Sequence, residues 1–124
     1  MRITAATLHP YRLPLKAPWR SASGAFETRE GWLLKLSTDV GLSAYGDCAP
    51  LPAAGTETRE AAADQWRLWL IALPGRSVDE CLRILAERRG STPAARCALE
   101  TALLDLTARS EEHTSELQSR HNLV

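Results

Sequence analysis

In the amino-terminal part of the chain, the pattern of apolar and polar residues is typical of β-strands. Residues 2–16 are rich in β-branched, aromatic and leucine residues, but Pro10 and Pro14 interrupt them. Because proline cannot donate a ladder hydrogen bond, this segment predicts an edge strand. Two further β-type runs, WLLKLS and LSAYGDCA, flank the turn sequence TDVG, which predicts an antiparallel hairpin. The expected sheet is therefore a three-stranded antiparallel meander.

Two segments next to these runs follow neither the strand nor the helix period. The first spans residues 17–27 and the second spans residues 49–56, and both are rich in glycine, proline or alanine. Such residues favour turns over regular structure. We therefore predict two loops, called the first loop and the second loop below.

Helical periodicity replaces the strand pattern after the second loop. Within residues 57–73, apolar side chains recur on one helical face. This stripe consists of Ala62, Trp66, Trp69 and Leu73. Ser77 and Glu80 have the spacing of a capping box, which predicts the start of a second, shorter helix that ends at Gly90.

A third helix is predicted from Thr92, a favourable N-cap residue, and Pro93, which suits the first helical position. Three leucines form its apolar stripe, and three alanines beside them permit close packing. These residues are Leu99, Leu103 and Leu106, with Ala95, Ala98 and Ala102. Three antiparallel strands followed by three helices predict an α+β domain whose helices cover one face of the sheet.

The balance of charges and the number of cysteines indicate which binding partners and which cellular compartment to expect. Fifteen lysines and arginines balance fifteen aspartates and glutamates, so the basic surface of a nucleic-acid-binding or membrane-binding protein is not expected. Cys48, Cys81 and Cys97 lack CxxC spacing, which argues against a disulfide framework and a zinc site. We interpret Cys97, which lies among alanine and leucine, as an inert buried thiol. A cytoplasmic location is the expectation.

Candidate catalytic groups are few. His9 stands beside Pro10 in the predicted edge strand, where a surface position is expected. Glu100 and Asp105 are five residues apart on the third helix, so their carboxylates do not share a face. The sequence therefore predicts no catalytic residue and no metal ligand.

Four phrases carry a family resemblance in their order along the chain: PLKAPWRSASG, TREGWLLKLSTDVG, YGDCAPLPAAGTET and PAARCALETALLDLTA. They resemble the first strand and loop, the central hairpin, the second loop and the linker helix of the N-terminal capping domain of the enolase superfamily. The similar branch is that of muconate-lactonizing enzymes and o-succinylbenzoate synthases. The resemblance covers residues 1–108, and Asp47 departs from it, since the family phrase more often has Glu after Gly.

The resemblance implies that the chemistry lies outside this segment. In the superfamily, the base that abstracts a proton next to a carboxylate and the acidic ligands of magnesium lie on a following C-terminal barrel. The fragment is therefore expected to be inactive and to hold no cofactor, whereas the parent enzyme uses magnesium and a small carboxylate substrate. The implied parent is an o-succinylbenzoate synthase, a lyase of menaquinone biosynthesis. The alternatives are a muconate cycloisomerase, a dipeptide epimerase or an N-acylamino acid racemase.

The resemblance also implies a lid role for the two loops, which would close over the barrel mouth and contact the substrate. The implied lid residues are Trp19, Arg20, Ser21 and Phe26 in the first loop and Leu51 and Pro52 in the second. Packing of Trp19 and Phe26 on their own sheet is the alternative. Without the barrel, we expect apolar surface to be exposed near Trp66, Trp69 and the leucine stripe.

The last residues break the apolar pattern. Residues 109–124, RSEEHTSELQSRHNLV, are polar, and their beginning matches the in-frame translation of a common sequencing adapter. We therefore expect a disordered, adapter-derived tail behind a capping domain that ends at residue 108, with Arg109 either native or adapter. A natural polar tail is the alternative for this segment. The alternative for the whole chain is a free-standing small binding module.

Overall fold

The computed structural model describes the backbone of residues 1–21, 24–87 and 90–122, and the side chains of residues 1–17, 28–87 and 90–112. Three strands form one antiparallel sheet in the order β1-β2-β3. They are β1 (Ile3–Ser21), β2 (Gly24–Thr38) and β3 (Ser43–Cys48). β1 is an edge strand, as its prolines predict.

Three helices follow the sheet. They are α1 (Arg59–Ala72), α2 (Val78–Glu87) and α3 (Pro93–Asn122). A short 3-10 helix over Pro52–Ala54 lies within the second loop. The predicted α+β fold, a three-stranded antiparallel meander followed by three helices, is confirmed.

The first loop is the main difference from the predicted elements. Residues 17–21 continue β1 and residues 24–27 begin β2, and the backbones of Trp19 and Phe26 are register partners. The ladder shifts register between Pro14 and Trp19. The prediction of a loop is wrong for residues 17–21 and 24–27, because pairing between the two strands overrides the local preference of glycine and proline. Residues 22 and 23 of the predicted loop lie outside the described residues.

α3 supplies the layer that covers the sheet. Leu99, Leu103 and Leu106 are at most 1% exposed and join one core with Trp66 and the inward side chains of β2 and β3. Burial of this apolar area is the main stabilising contribution to such a domain. The stripe predicted for α3 is therefore confirmed. The expected exposure is wrong for Trp66 and the leucine stripe, because these side chains pack against the domain's own sheet, whereas Trp69 is only partly buried and Leu68 and Ile71 beside it are exposed.

Glycine and alanine permit a close approach of α3 to β3. A Cβ atom built on Gly46 would lie 2.0 Å from the carbonyl oxygen of Ala98. Ala95, Ala98 and Ala102 are all buried. The predicted role of the alanine row in close packing is confirmed, and the structure adds Gly46 as its counterpart on the sheet.

The helix starts are set by side-chain caps. The Ser77 Oγ accepts a hydrogen bond from the Glu80 N–H at 3.1 Å, as the capping box predicts. α1 begins two residues later than predicted, because the Oγ1 atom of Thr58 accepts from the Ala61 N–H at 3.2 Å. Glu57, which the periodicity assigned to this helix, therefore lies outside it.

Cys97 differs from its prediction. Its side chain is exposed, whereas Cys48 and Cys81 are buried. Neighbouring helical residues point about 100° apart, given 3.6 residues per turn, so Cys97 lies beside the buried alanine and leucine stripe without belonging to it. The interpretation of Cys97 as a buried thiol is wrong.

α3 extends past the predicted domain boundary. Its helical backbone continues to Asn122. The Arg109 guanidinium donates to the carbonyl oxygen of Ser43 at 2.8 Å and lies 3.2 Å from the Asp105 carboxylate. The origin of residues 109–124 and their division from the domain at residue 108 stay predictions. Within the part of the chain that the structure describes, no helix has the length and apolar composition of a membrane span.

Replacing Gly46 with alanine is expected to lower the free energy of unfolding by about 3 kcal/mol, because the added methyl forces β3 and α3 apart. Gly41→Ala is the matched control. Gly41 has a φ of 81° but open space around it, so its loss is expected to be about 1 kcal/mol from backbone strain alone. Urea denaturation of both variants checks the difference. Equal losses would contradict the close packing.

Candidate functional site at the end of the sheet

The second loop leaves the sheet beside the β1–β2 hairpin. Cys48, the last residue of β3, pairs with Trp32 of β2, and β2 extends beyond this pair to Gly24. The loop therefore starts next to residues 28–31 of β2. The second loop and the far end of the hairpin lie at the same end of the sheet.

The start of the second loop is held by an arginine from β2. The Arg29 guanidinium donates to the carbonyl oxygens of Ala49 at 3.3 Å and Pro50 at 3.2 Å. Hydrogen bonds to a charged donor are stronger than those between neutral groups. Arg29 thus fixes the path of the chain as it leaves β3.

The loop also closes on itself. The Leu51 N–H donates to Thr56 Oγ1 at 2.6 Å, and the Ala54 N–H donates to the Leu51 carbonyl oxygen at 2.8 Å. Gly55 takes the left-handed conformation with a φ of 90°, which glycine adopts without steric cost. The second loop is therefore a compact, internally bonded turn.

A cleft of about 380 Å³ lies between β2, the second loop and the start of α1. Residues 28–30, 50–52 and 58–60 line it. The predicted lid residues Leu51 and Pro52 are among them. The side chains of the other four predicted lid residues, Trp19, Arg20, Ser21 and Phe26, lie outside the described residues.

Charges around this cleft are paired. The Glu30 carboxylate lies 3.0 Å from the Arg59 guanidinium and 3.4 Å from that of Arg12. The Arg59 guanidinium also lies 5.1 Å from the ring centroid of Trp32, within the range of a cation–π contact. These groups are partly exposed, so each pair contributes little stability, but together they define a polar rim.

A tyrosine crosses β2 near the same end of the sheet. The Tyr11 hydroxyl donates to the Asp47 carboxylate at 2.5 Å, and Tyr11 pairs with Gly31 of the strand between them. A Cβ atom on Gly31 would lie 2.7 Å from the Tyr11 hydroxyl oxygen, so the phenol can cross only over glycine. Burial and the bond to Asp47 raise the pKa of Tyr11 to about 12.

Glu57 joins the end of the second loop to α3. Its side chain is buried, and its two carboxylate oxygens accept from the Ala94 N–H at 2.9 Å and the Ala95 N–H at 3.0 Å. The first N–H groups of a helix have no intrahelical partner, and a negative charge there is favourable. Glu57 therefore serves as the charged acceptor at the start of α3.

Sequence reasoning missed the roles of Arg29, Tyr11 and Glu57. Each of the three bonds a residue at least 20 positions away along the chain. Local spacing carries no signal for such contacts.

Side chains that could ligate a metal are dispersed across the described residues. No group of three or more histidine, cysteine, aspartate or glutamate side chains converges among them. Burial raises the pKa of the Cys48 thiol to about 11, so at neutral pH this group is protonated and a poor nucleophile. His9, placed at the surface by the sequence, is exposed.

Comparison with known proteins identifies the class. The family model of the MenC N-terminal domain matches residues 3–84. The chain therefore belongs to this family, a capping-domain family of the enolase superfamily.

The proteins similar to this chain include enzymes with different activities. An L-Lys-D/L-Arg epimerase of Methylococcus capsulatus is 35% identical over 113 residues, which is 88% of this chain and 32% of the epimerase. An o-succinylbenzoate synthase of Thermosynechococcus vestitus is 34% identical over 92 residues, which is 74% of this chain and 26% of the synthase. Both similarities cover most of this chain and about a third or less of the relative.

A solved structure agrees with the fold. The dipeptide epimerase of Methylococcus capsulatus, complexed with Mg and the dipeptide L-Arg-D-Lys, superposes with a TM-score of 0.74 at 34% identity. The match covers 89% of this chain and 32% of that protein. The present chain thus spans about a third of the proteins it resembles.

Stability is expected to fall at high pH through Tyr11. Its pKa is 10.0 in a model peptide and about 12 in the fold, so between these values the folded chain keeps a proton that the unfolded chain has lost. The Tyr11 contribution is therefore full below pH 10.0 and is lost as the pH rises through about 12. Urea denaturation of the wild type and Tyr11→Phe should show a stability difference that shrinks over this window. A difference independent of pH would contradict the assignment.

Proposed function

We propose that this chain is the capping part of a longer, magnesium-dependent enolase-superfamily enzyme. Its second loop and β1–β2 hairpin would form the lid over the mouth of a C-terminal barrel. The observation that carries the proposal is the cleft beside a second loop that is bonded at its start by Arg29 and closed by Thr56. The limited coverage of the relatives supports a further domain.

In this proposal the chain binds and encloses substrate without reacting. Leu51 and Pro52 supply apolar surface, and the polar rim of Arg59 and Glu30 offers charge to the distal part of a small carboxylate. A lid of this kind excludes water and commits the substrate. The magnesium would be held by the barrel, as the Mg complex of the related dipeptide epimerase supports, and would supply a Lewis acid there.

Two parent reactions have support. The match to the MenC N-terminal domain model supports an o-succinylbenzoate synthase as the parent, and the proposed parent would then act in menaquinone biosynthesis. The second candidate is a dipeptide epimerase, favoured by 35% identity over 88% of the chain. We propose the synthase first, because the family match rests on a model built for that domain.

The purified 124-residue chain is expected to show no dehydratase and no epimerase turnover, because the proposed base and metal ligands lie on the barrel. Incubation with o-succinylbenzoate synthase substrate or with dipeptides, with and without magnesium, checks this against a buffer control. Turnover above the control would contradict the proposal.

A graft tests the lid role and compares the two parents. Residues 1–108 would replace the capping domain of the Thermosynechococcus synthase and of the Methylococcus epimerase. The synthase host is expected to retain the larger fraction of its kcat/KM. In the active graft, Leu51→Ala is expected to raise KM by about 5-fold or more, since one apolar contact contributes about 1 to 3 kcal/mol and about 1.4 kcal/mol is a factor of ten.

Leu68→Ala is the matched control for the graft. Leu68 lies on α1, is 65% exposed and does not line the cleft. The KM of the active graft that carries Leu68→Ala is therefore expected to stay unchanged. Equal effects of the two substitutions would contradict a substrate contact by the second loop. Folded but inactive grafts in both hosts would contradict the lid role.

A further inference from the structure

Three consecutive side chains at the end of the second loop bond three different parts of the fold. Thr56 Oγ1 accepts from the Leu51 N–H within the loop at 2.6 Å, and Thr58 Oγ1 accepts from the Ala61 N–H at the start of α1 at 3.2 Å. Between them, the Glu57 carboxylate accepts two N–H groups of α3. Residues 56–58 therefore form a three-way junction between the loop, α1 and α3.

From this junction we propose that Glu57 is a positioning residue that holds the second loop in a preformed shape. By anchoring the junction to the first turn of α3, it would fix Thr56 and, through Thr56, the turn that carries Leu51. The loop wall of the cleft would then have its final form before any ligand binds. The proposal rests on the lid function above for its biological meaning, but its physical content concerns this chain alone.

The chemistry of the contact requires a glutamate. Glu57 is 7% exposed, and a buried carboxylate is tolerated only where hydrogen bonds replace its lost water. Both of its oxygens are used, one by Ala94 and one by Ala95. Glutamine has one acceptor oxygen in place of two, and aspartate is one methylene shorter. Either replacement therefore removes or lengthens at least one of the two bonds.

The link from Glu57 to Leu51 is short. Thr56 directly precedes Glu57, and it meets Leu51 through two hydrogen bonds, one from the Leu51 N–H and one from its own N–H to the Leu51 carbonyl oxygen at 3.3 Å. Leu51 in turn lines the cleft. A loop that is already ordered pays less conformational entropy when it closes on a ligand, which is the benefit of this arrangement for a lid.

Amide hydrogen exchange on the full 124-residue chain tests the proposal. The variant is Glu57→Gln, and the reporters are the amides of Ala94, Ala95 and Leu51, with the amides of central strand β2 reporting global unfolding. Loss of one of the two bonds, and of the negative charge that strengthens the other, is expected to raise exchange at all three reporters by about 10-fold or more, beyond any change in β2. Glu57→Asp is expected not to restore protection at both Ala94 and Ala95.

Glu87→Gln is the matched control, because Glu87 carries the same chemical change on an exposed position of α2 and does not line the cleft beside the second loop. It is expected to leave the reporters within about 2-fold of the wild type, as for a surface change. Faster exchange at Ala94 and Ala95 with Leu51 unchanged would make Glu57 a helix cap only and would overturn the proposal. An equal rise at every amide, including β2, would also overturn it.

Thr56→Val tests the same junction from the loop side if Glu57→Gln does not fold. It removes the acceptor for the Leu51 N–H and leaves the Glu57 carboxylate intact. Since coupling is reciprocal, exchange is expected to rise at Leu51 and, to a smaller degree, at Ala94 and Ala95. Unchanged exchange at Ala94 and Ala95 would overturn the coupling. None of these readouts involves a barrel or a substrate, so failure of the junction and failure of the lid function remain distinguishable.

Discussion

The close contact between α3 and β3 is the constraint on which the rest of the domain depends. Gly46 admits the backbone of Ala98 where any side chain would collide. With α3 held at that distance, its leucine stripe reaches the sheet and completes the core. The same contact brings the first turn of α3 to Glu57, because Ala94 and Ala95 lie one helical turn before Ala98. Packing in the core thus determines where the second loop ends.

Polar side chains at this end of the sheet form hydrogen bonds that hold parts of the fold together. Arg29 holds the start of the second loop, Glu57 its end, and Tyr11 bonds Asp47 across β2. Arg29 and Glu57 satisfy backbone groups that would otherwise lose hydrogen bonds on burial, whereas the bond from Tyr11 to Asp47 is exposed. Together, these contacts fix the path of the second loop and its position beside β2 and α3.

Much of the fold is predictable from the sequence because its helical signals are local. Trp66, Leu99 and Ser77 are where periodicity and capping place them, since helix packing and caps repeat within one or two turns. The prediction of the first loop was wrong where residues 19–21 pair with residues 24–26, because strand pairing is a relation between two segments. Local composition contains no record of that relation.

The candidate site was less predictable for the same reason. Periodicity placed Glu57 in α1, yet its partners lie 37 and 38 residues away on α3. The reach of Tyr11 to Asp47 requires the register that puts Gly31 between them. Leu51 and Pro52 were found through family resemblance, and the structure adds that they line a cleft. Their contact with substrate stays a prediction.

The central claim is that this chain caps a barrel encoded by the same gene. Sequencing the source genome downstream of the codon for Ala108 tests it most directly. The account predicts an uninterrupted frame of about 200 residues or more, the scale of a β/α barrel, with a Lys-x-Lys strand and spaced Asp, Glu and Asp metal ligands. A natural stop codon directly after this domain would contradict the account and favour a free-standing binding module.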